Sequence, residues 1–308
     1  MVGKQTWTKY TALLGLIALT AISAVISDHF LTVSNLFNIL RQVSINGLLA
    51  TGMTFVIISK GINLSVGSIL ALSGVLGALA INAGQSIFVV ILICIGVGCI
   101  AGAISGFIIT RGGLEPFIVT LAMMTILNGL TLVACDGRTV ILTRRLPALN
   151  NIGNGYWGPV PIPVVIMMAA FLIASFILIY TPYGRHIYYT GGNEDAAFLS
   201  GIPTQNVKLN AYVISGILAG LGGLLYLGRL GVGEPTAGGG FQTNAIAATV
   251  IGGTSMAGGK GGAWFTIIGV LIIGLIDNIL NLMNVSPYIQ DVFKGLIIIS
   301  SVYASRKR

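Results

Sequence analysis

Charge is what this sequence has least of: 8 acidic and 16 basic side chains among 308 residues, 8% of the chain, with a mean hydropathy of +0.94. A soluble domain of this size needs a far richer charged surface, so the chain reads as an integral membrane protein largely covered by lipid. Its net charge of +8 comes from basic residues set singly between apolar runs and at the chain ends. That distribution is an orientation signal rather than a nucleic-acid footprint. Cysteine is scarce too. Cys94, Cys99 and Cys135 lack metal-ligand spacing, and the first two lie in an apolar run, as packing residues do. The two histidines, His29 beside Asp28 and His186 beside Arg185, fall far apart and on opposite sides of the membrane in the topology below. No acid and base pair, metal cluster or cofactor site follows, and a membrane-embedded enzyme is the weakest reading.

Apolar runs supply what charge does not. Crossing a hydrocarbon core takes about 20 mostly apolar residues, fewer where protein surrounds the helix. The candidates are 11–26, 44–59, 66–82, 86–110, 117–134, 164–180, 211–230, 244–256, 264–283 and 289–304, about ten spans by that length rule, or about eight or nine if the short or glycine-broken second, third and eighth do not all cross. The fold class expected is an all-α membrane protein, with 1–308 as a single transmembrane domain. Lys4 and Lys9 before the first run, with Ala21-Ile22-Ser23 inside it, outline a signal peptide; further spans follow at once, which favours an uncleaved first span.

An even span count puts both termini on one side. Lys4, Lys9 and the terminal Arg306-Lys307-Arg308 make that side the cytoplasm. Lys60, Arg111, Arg185, Lys208 and Lys260 then fall inside, and Arg41, Arg138, Arg144, Arg145, Arg229 and Lys294 outside. The largest external segment is 135–163. Gly98, Gly102 and Gly106 recur every four residues, as do Gly216 and Gly220, the spacing of close helix contacts. Asp277 is the one acid deep in an apolar run. It is a candidate for a polar pathway, but neighbouring Asn278 and Asn281 favour hydrogen bonding within the bundle.

Three segments break the apolar pattern. At 59–67, SKGINLSVG interrupts a long apolar stretch, either as a helix break beside an aqueous cavity or as a turn in which Asn63 or Ser65 caps the next helix. At 234–241 and 252–262 glycines flank a short apolar run. Lys260 is followed by glycines rather than Ser or Thr, so this is no P-loop, and glycine-broken helices lining a pathway or gate are the expectation. Asn46, Ala50-Thr51 and Gly61 are echoed by Asn244, Ala248-Thr249 and Gly259 at the same offsets, a faint internal repeat. The third break, 181–209, is a polar loop in which Asp195-Ala196-Ala197 followed by Gly201 and Pro203 reads as a short helix ended by a turn.

These markers together resemble one family. FLTVSNLFNIL at 30–40, GINLSVGS at 61–68, GGNEDAAFLSGI at 191–202, PTAG at 235–238 and AIAATVIGGTSMAGGKG at 245–261 are similar to the permease subunit of ribose-type sugar-importing ABC transporters, across nearly the whole chain. Family members usually carry aspartate where this chain has Asn63 and commonly an acid at Asn244; the wider importer loop motif has glutamate at Asp195. Roles needing a carboxylate at Asn63 or Asn244 are therefore in doubt, since an amide keeps hydrogen bonding but not charge.

The resemblance implies a permease of the cobalamin-importer (type II) fold in the bacterial inner membrane, working as a pair of permease subunits, a homodimer. A cytoplasmic ABC ATPase would hydrolyse ATP, and an external sugar-binding protein would deliver a monosaccharide. It also makes 181–209 the cytoplasmic coupling loop. Gly192, Asn193, Glu194, Asp195, Ala196, Ala197 and Gly201 would couple to the ATPase, Asp195 through polar contact at the helix start, Ala196 and Ala197 through close packing, and Gly201 through the turn out. Asn63, Ser65, Asn244, Thr254 and Ser255 are candidates for a weakly polar path, with local capping and packing as the competing reading. The alternative function is a secondary carrier or channel acting without an ATPase.

Overall fold

The computed structural model describes residues 2–27, 29–144 and 146–306, and the side chains of 13–27, 29–144, 146–286, 288–296 and 299. Asp28, Arg145, Lys307 and Arg308, with the side chains of Lys4, Lys9 and Arg306, lie outside the described residues. The chain is almost wholly helical, as its composition predicts: α1 (Val2–Ile26), α2 (Val33–Ile58), α3 (Val66–Asn82), α4 (Ile87–Gly112), α5 (Pro116–Ala134), α6 (Pro147–Asn154), α7 (Ile162–Tyr180), α8 (Pro182–Gly192), α9 (Glu194–Leu199), α10 (Thr204–Leu230), α11 (Phe241–Ile251), α12 (Ala263–Leu282) and α13 (Pro287–Arg306). Two-residue strands form two small antiparallel pairings. One joins β1 (Val140–Ile141) to β4 (Val232–Gly233), and the other is the hairpin of β2 (Tyr156–Trp157) and β3 (Val160–Pro161).

Local chemistry sets the helix limits. Thr32 caps α2 by accepting from the Asn35 amide, proline opens α5 and α8, and left-handed Gly113 and Gly231 end α4 and α10. Among the described residues five helices, α4, α5, α7, α10 and α12, are long and apolar enough to cross a membrane by length and composition. The expected span at 44–59 is the inner half of the 26-residue α2, and that at 244–256 is the 11-residue α11 followed by a glycine turn. The 17-residue α3 is short for the hydrocarbon layer, but 14 of its residues are buried, so protein rather than lipid surrounds it.

At the centre stands α10, about 40 Å long at a helical rise of ~1.5 Å per residue, packed against α2, α3 and α4. It runs antiparallel to α4. The two small-residue stripes seen in the sequence meet each other: a Cβ on Gly98 would overlap the Gly216 carbonyl, one on Gly216 the Gly98 carbonyl, and one on Gly220 the Cys94 carbonyl. Gly102 and Gly106 face the backbone of Tyr212 and Leu209 in the same seam. Cys94 is buried and its thiol donates to the Ser73 carbonyl at 3.4 Å, a packing role.

Asp277 has the structural setting that its amide neighbours suggested. Lys294 Nζ of α13 lies 3.1 Å from its carboxylate. Asn278 and Asn35 exchange reciprocal amide bonds of 2.8 and 3.0 Å, and Gln290 donates to Asn281 at 2.8 Å. These polar contacts join α12 to α2 and α13.

Candidate functional site: the coupling elbow

Residues 181–209 fold into two short helices, one more than the sequence suggested, and the start of α10. Thr181 Oγ1 caps α8 by accepting from the Gly184 amide at 3.2 Å. Asn193 breaks the chain between helices with φ −155°, and its Oδ1 accepts from the Ala196 amide at 3.0 Å, so Asn193 rather than Asp195 caps α9. Glu194 and Asp195 occupy the first turn, where negative charge suits the helix dipole. The end is a Schellman turn: Gly201 sits at φ +82°, its N–H donates to Phe198 O at 2.9 Å, and the Ile202 N–H donates to Ala197 O at 3.1 Å. Only glycine adopts that φ freely, which is the physical content of the sequence spacing.

The elbow is tied to the bundle on three sides. Glu194 pairs with Lys208 at the foot of α10. Tyr183 stacks on Phe55 of α2, with centroids 6.5 Å apart at 27°, and its hydroxyl donates to Val207 O at 3.1 Å. Burial pushes the Tyr183 phenol above its ordinary pKa, so it stays a neutral donor. On the third side Gly191 abuts the end of α2 so closely that a Cβ would overlap the Ile58 carbonyl. That carbonyl accepts from Gly259 N at 2.9 Å, and Tyr188 donates to Gly261 O at 2.9 Å. Here the break after α2, the end of α8 and the glycine loop 252–262 converge. Left-handed Lys60 and Gly258 occupy equal offsets in the faint internal repeat and lie side by side.

What the elbow leaves exposed was not legible as function. Ala197 is buried against its own chain, whereas Ala196 is exposed, as are Phe198 at 67% and Leu199 at 85%. Phe198, Arg111 and residues 203–206 line a groove of about 210 Å³ beside them. In the sequence Phe198 and Leu199 look like ordinary core residues. The signal available was their place: they follow the only buried residue of a six-residue helix too short to hide both sides.

The path candidates do not form one cluster. Asn63 is fully buried and forms a turn just ahead of α3: its Oδ1 accepts from Ser65 N at 3.1 Å and Ser65 Oγ at 2.7 Å, and neither residue makes a side-chain cap to the helix. A backbone N–H can only donate, so the oxygen is fixed toward Ser65 and the amide NH₂ faces Ser215 Oγ at 3.1 Å. Thr254 is buried beside Gly261, and Ser255 closes the glycine turn through its N–H to Lys260 O at 3.0 Å. Asn244 stands half-buried in the first turn of α11.

Comparison with known proteins places this architecture. The family described as "Branched-chain amino acid transport system / permease component" matches residues 35–302. The ribose import permease protein RbsC of Haemophilus influenzae is 45% identical over 293 residues, 94% of this chain and 91% of that protein. RbsC of Bacillus subtilis is 46% identical over 96% of this chain and 92% of that protein, and the D-allose transport system permease protein AlsC of Escherichia coli 41% identical over 97% and 92%. No solved structure matches significantly. With a match over most of its length, the chain belongs to this family of ABC-importer permease components, in its ribose-type branch, and is a multi-pass membrane transport component rather than an enzyme.

Proposed function

We propose that this chain is the permease of an ATP-driven importer of ribose or a related monosaccharide, and that α9 is its coupling helix. Two copies form the translocation unit, with the type II arrangement of about ten spans that the length rule predicts. Both termini and the elbow face the cytoplasm, where a separate ATPase docks, and an external binding protein delivers the sugar. The relatives named for ribose and allose import support the substrate class. The observation that carries the mechanism is the exposed Phe198 and Leu199 on a short helix tied to α10 through Glu194 and joined to α8, which is itself held on α2 and α10. An apolar pair of that kind fits a groove on a soluble partner, and the ties through Lys208 and Tyr183 let a push on α9 move α10 as one body.

Crosslinking tests it directly. Leu199→Cys in the complex with its ATPase should crosslink to that subunit and support ATP-dependent sugar uptake, while Ala197→Cys, buried, should crosslink poorly. Uptake by the chain alone in liposomes, with no crosslink, would overturn the importer reading in favour of a secondary carrier. Gly201→Val should cost about 1–2 kcal/mol locally by forcing a β-branched residue to positive φ. The protein should insert and express normally, yet ATPase association or transport should fall. Normal transport at normal expression would remove α9 from the coupling role.

A further inference from the structure

Between α10 and α11 the chain leaves helical geometry for residues 231–240. This stretch does not stay at the end of the bundle. Gly233 lies against Val75 and Ala78 in the outer half of α3, and a Cβ there would come within 2.8 Å of the Ala78 methyl. Five residues later Gly238 touches the second residue of the same helix, where a Cβ on Gly67 would overlap the Gly238 carbonyl and one on Gly238 the Gly67 carbonyl. From Ala78 to Gly67 is about 16 Å of helix axis. Residues 233–238 therefore run down most of an apolar helix with their backbone outside any helix or barrel.

Such backbone survives at bilayer depth only when buried in protein or wetted by a water-filled cavity, because lipid cannot satisfy its N–H and C=O groups. Gly233 and Pro235 are buried against the bundle, but the side of the segment at 236, 239 and 240 is open. Its bonds are local turns, Ala237 N to Glu234 O and Gly239 N to Thr236 O, both 3.2 Å, while Thr236, Gly239 and Gly240 are exposed. The side chains beside them are neutral and hydrogen-bonding: exposed Thr243 and half-buried Gln242 open α11, next to the Tyr226 and Phe241 rings, which meet edge to face at 6.0 Å and 83°. The nearby carboxylate of Glu234 is engaged by two hydroxyls, Thr139 at 2.7 Å and Thr236 at 2.8 Å.

We propose that the exposed side of residues 236–243 is a wall of an aqueous passage whose ligand is an uncharged polyhydroxyl compound. Hydroxyl and amide groups exchange hydrogen bonds with sugar hydroxyls, and an aromatic face receives the apolar side of a sugar ring. The carboxylate near them, Glu234, is already engaged by Thr139 and Thr236 and disfavours an anionic ligand. The assignment deepens the importer reading and rests on it for the sugar; the aqueous exposure rests on the segment alone.

The test places cysteine at Thr236, Gly239 and Thr243 separately, in the full chain assembled with its ATPase. Gly239 has room for a Cβ, its nearest neighbour being Thr236 O at 3.6 Å. A charged, membrane-impermeant methanethiosulfonate is the probe, with the unsubstituted chain and Leu172→Cys on the outer face of α7 as references. Expected are labelling at the three sites but not at the references, loss of ATP-dependent sugar uptake on labelling, and slower labelling in excess sugar. Failure of all three sites to label, or labelling that leaves uptake intact, overturns the passage wall. Absence of ATP-dependent uptake in the unsubstituted chain overturns the importer reading instead, and the labelling pattern still decides whether the segment is wetted.

Discussion

Gly216→Leu should abolish accumulation of folded protein, whereas Gly96→Leu on the facing helix α4 should be tolerated. Both are glycines in apolar membrane helices, and composition does not separate them. Gly216 lies where α10 crosses α4, and even a Cβ there would overlap the Gly98 carbonyl oxygen, while nothing lies within 4 Å of a Cβ on Gly96. Overpacking a core costs about 1–3 kcal/mol when flexible side chains give way. Here backbone would have to move, the helices would separate along the whole seam from Cys94 to Gly106, and the cost belongs at or above the top of that range. Membrane-fraction yield and monodispersity in detergent read the result. A normal yield for Gly216→Leu would mean that α4 and α10 do not meet at this register.

Asp277→Ala should be comparably severe and, unlike the glycine change, reparable. The Asp277 side chain is 6% exposed and its Lys294 partner 17%, at 3.1 Å between α12 and α13. Removing one member of a buried pair typically costs about 3–5 kcal/mol, whereas replacing both by apolar residues of similar volume is often neutral or better; Asp291, 3.5 Å from Lys294, keeps part of the compensation and sets Asp277→Ala toward the lower end of that range. Asp277→Leu combined with Lys294→Met should therefore restore most of the folded yield lost in Asp277→Ala. Transport then separates the two roles that an intramembrane acid suggests. Uptake that returns with the yield makes the pair a helix pin, as the surrounding Asn35, Asn278 and Gln290 bonds imply; yield without uptake gives the carboxylate a part in the pathway.

The short helix α9 shows how far sequence carries. Asn193, the acidic first turn and Gly201 set a capped helix by chemistry confined to nine residues, and a reader of the sequence can find it for that reason. Ala197 and Phe198 are adjacent and both apolar, yet one is buried against the chain and the other presented to solvent. That choice depends on where α8 and α10 hold the elbow, through Gly191 on Ile58 and Glu194 on Lys208, partners 133 and 14 residues away by their numbering. Asn63 is similar. Its turn onto Ser65, ahead of α3, is local; its second bond, to Ser215, joins residues 152 apart.

By itself the sequence determined the membrane class, the apolar runs, the glycine stripes, the polar elbow and the family. Each of these is written in composition or in patterns a few residues long, because hydropathy, helical period and capping act between near neighbours. Tertiary structure alone decided which glycine stripe meets which, that Lys294 answers Asp277, that residues 231–240 descend along α3, and that Phe198 and Leu199 are the ones left bare. Those are questions of register between helices. In a chain where nearly every face is apolar, hydropathy favours no register over another, and only the fit of backbone against backbone and of buried polar partners selects one.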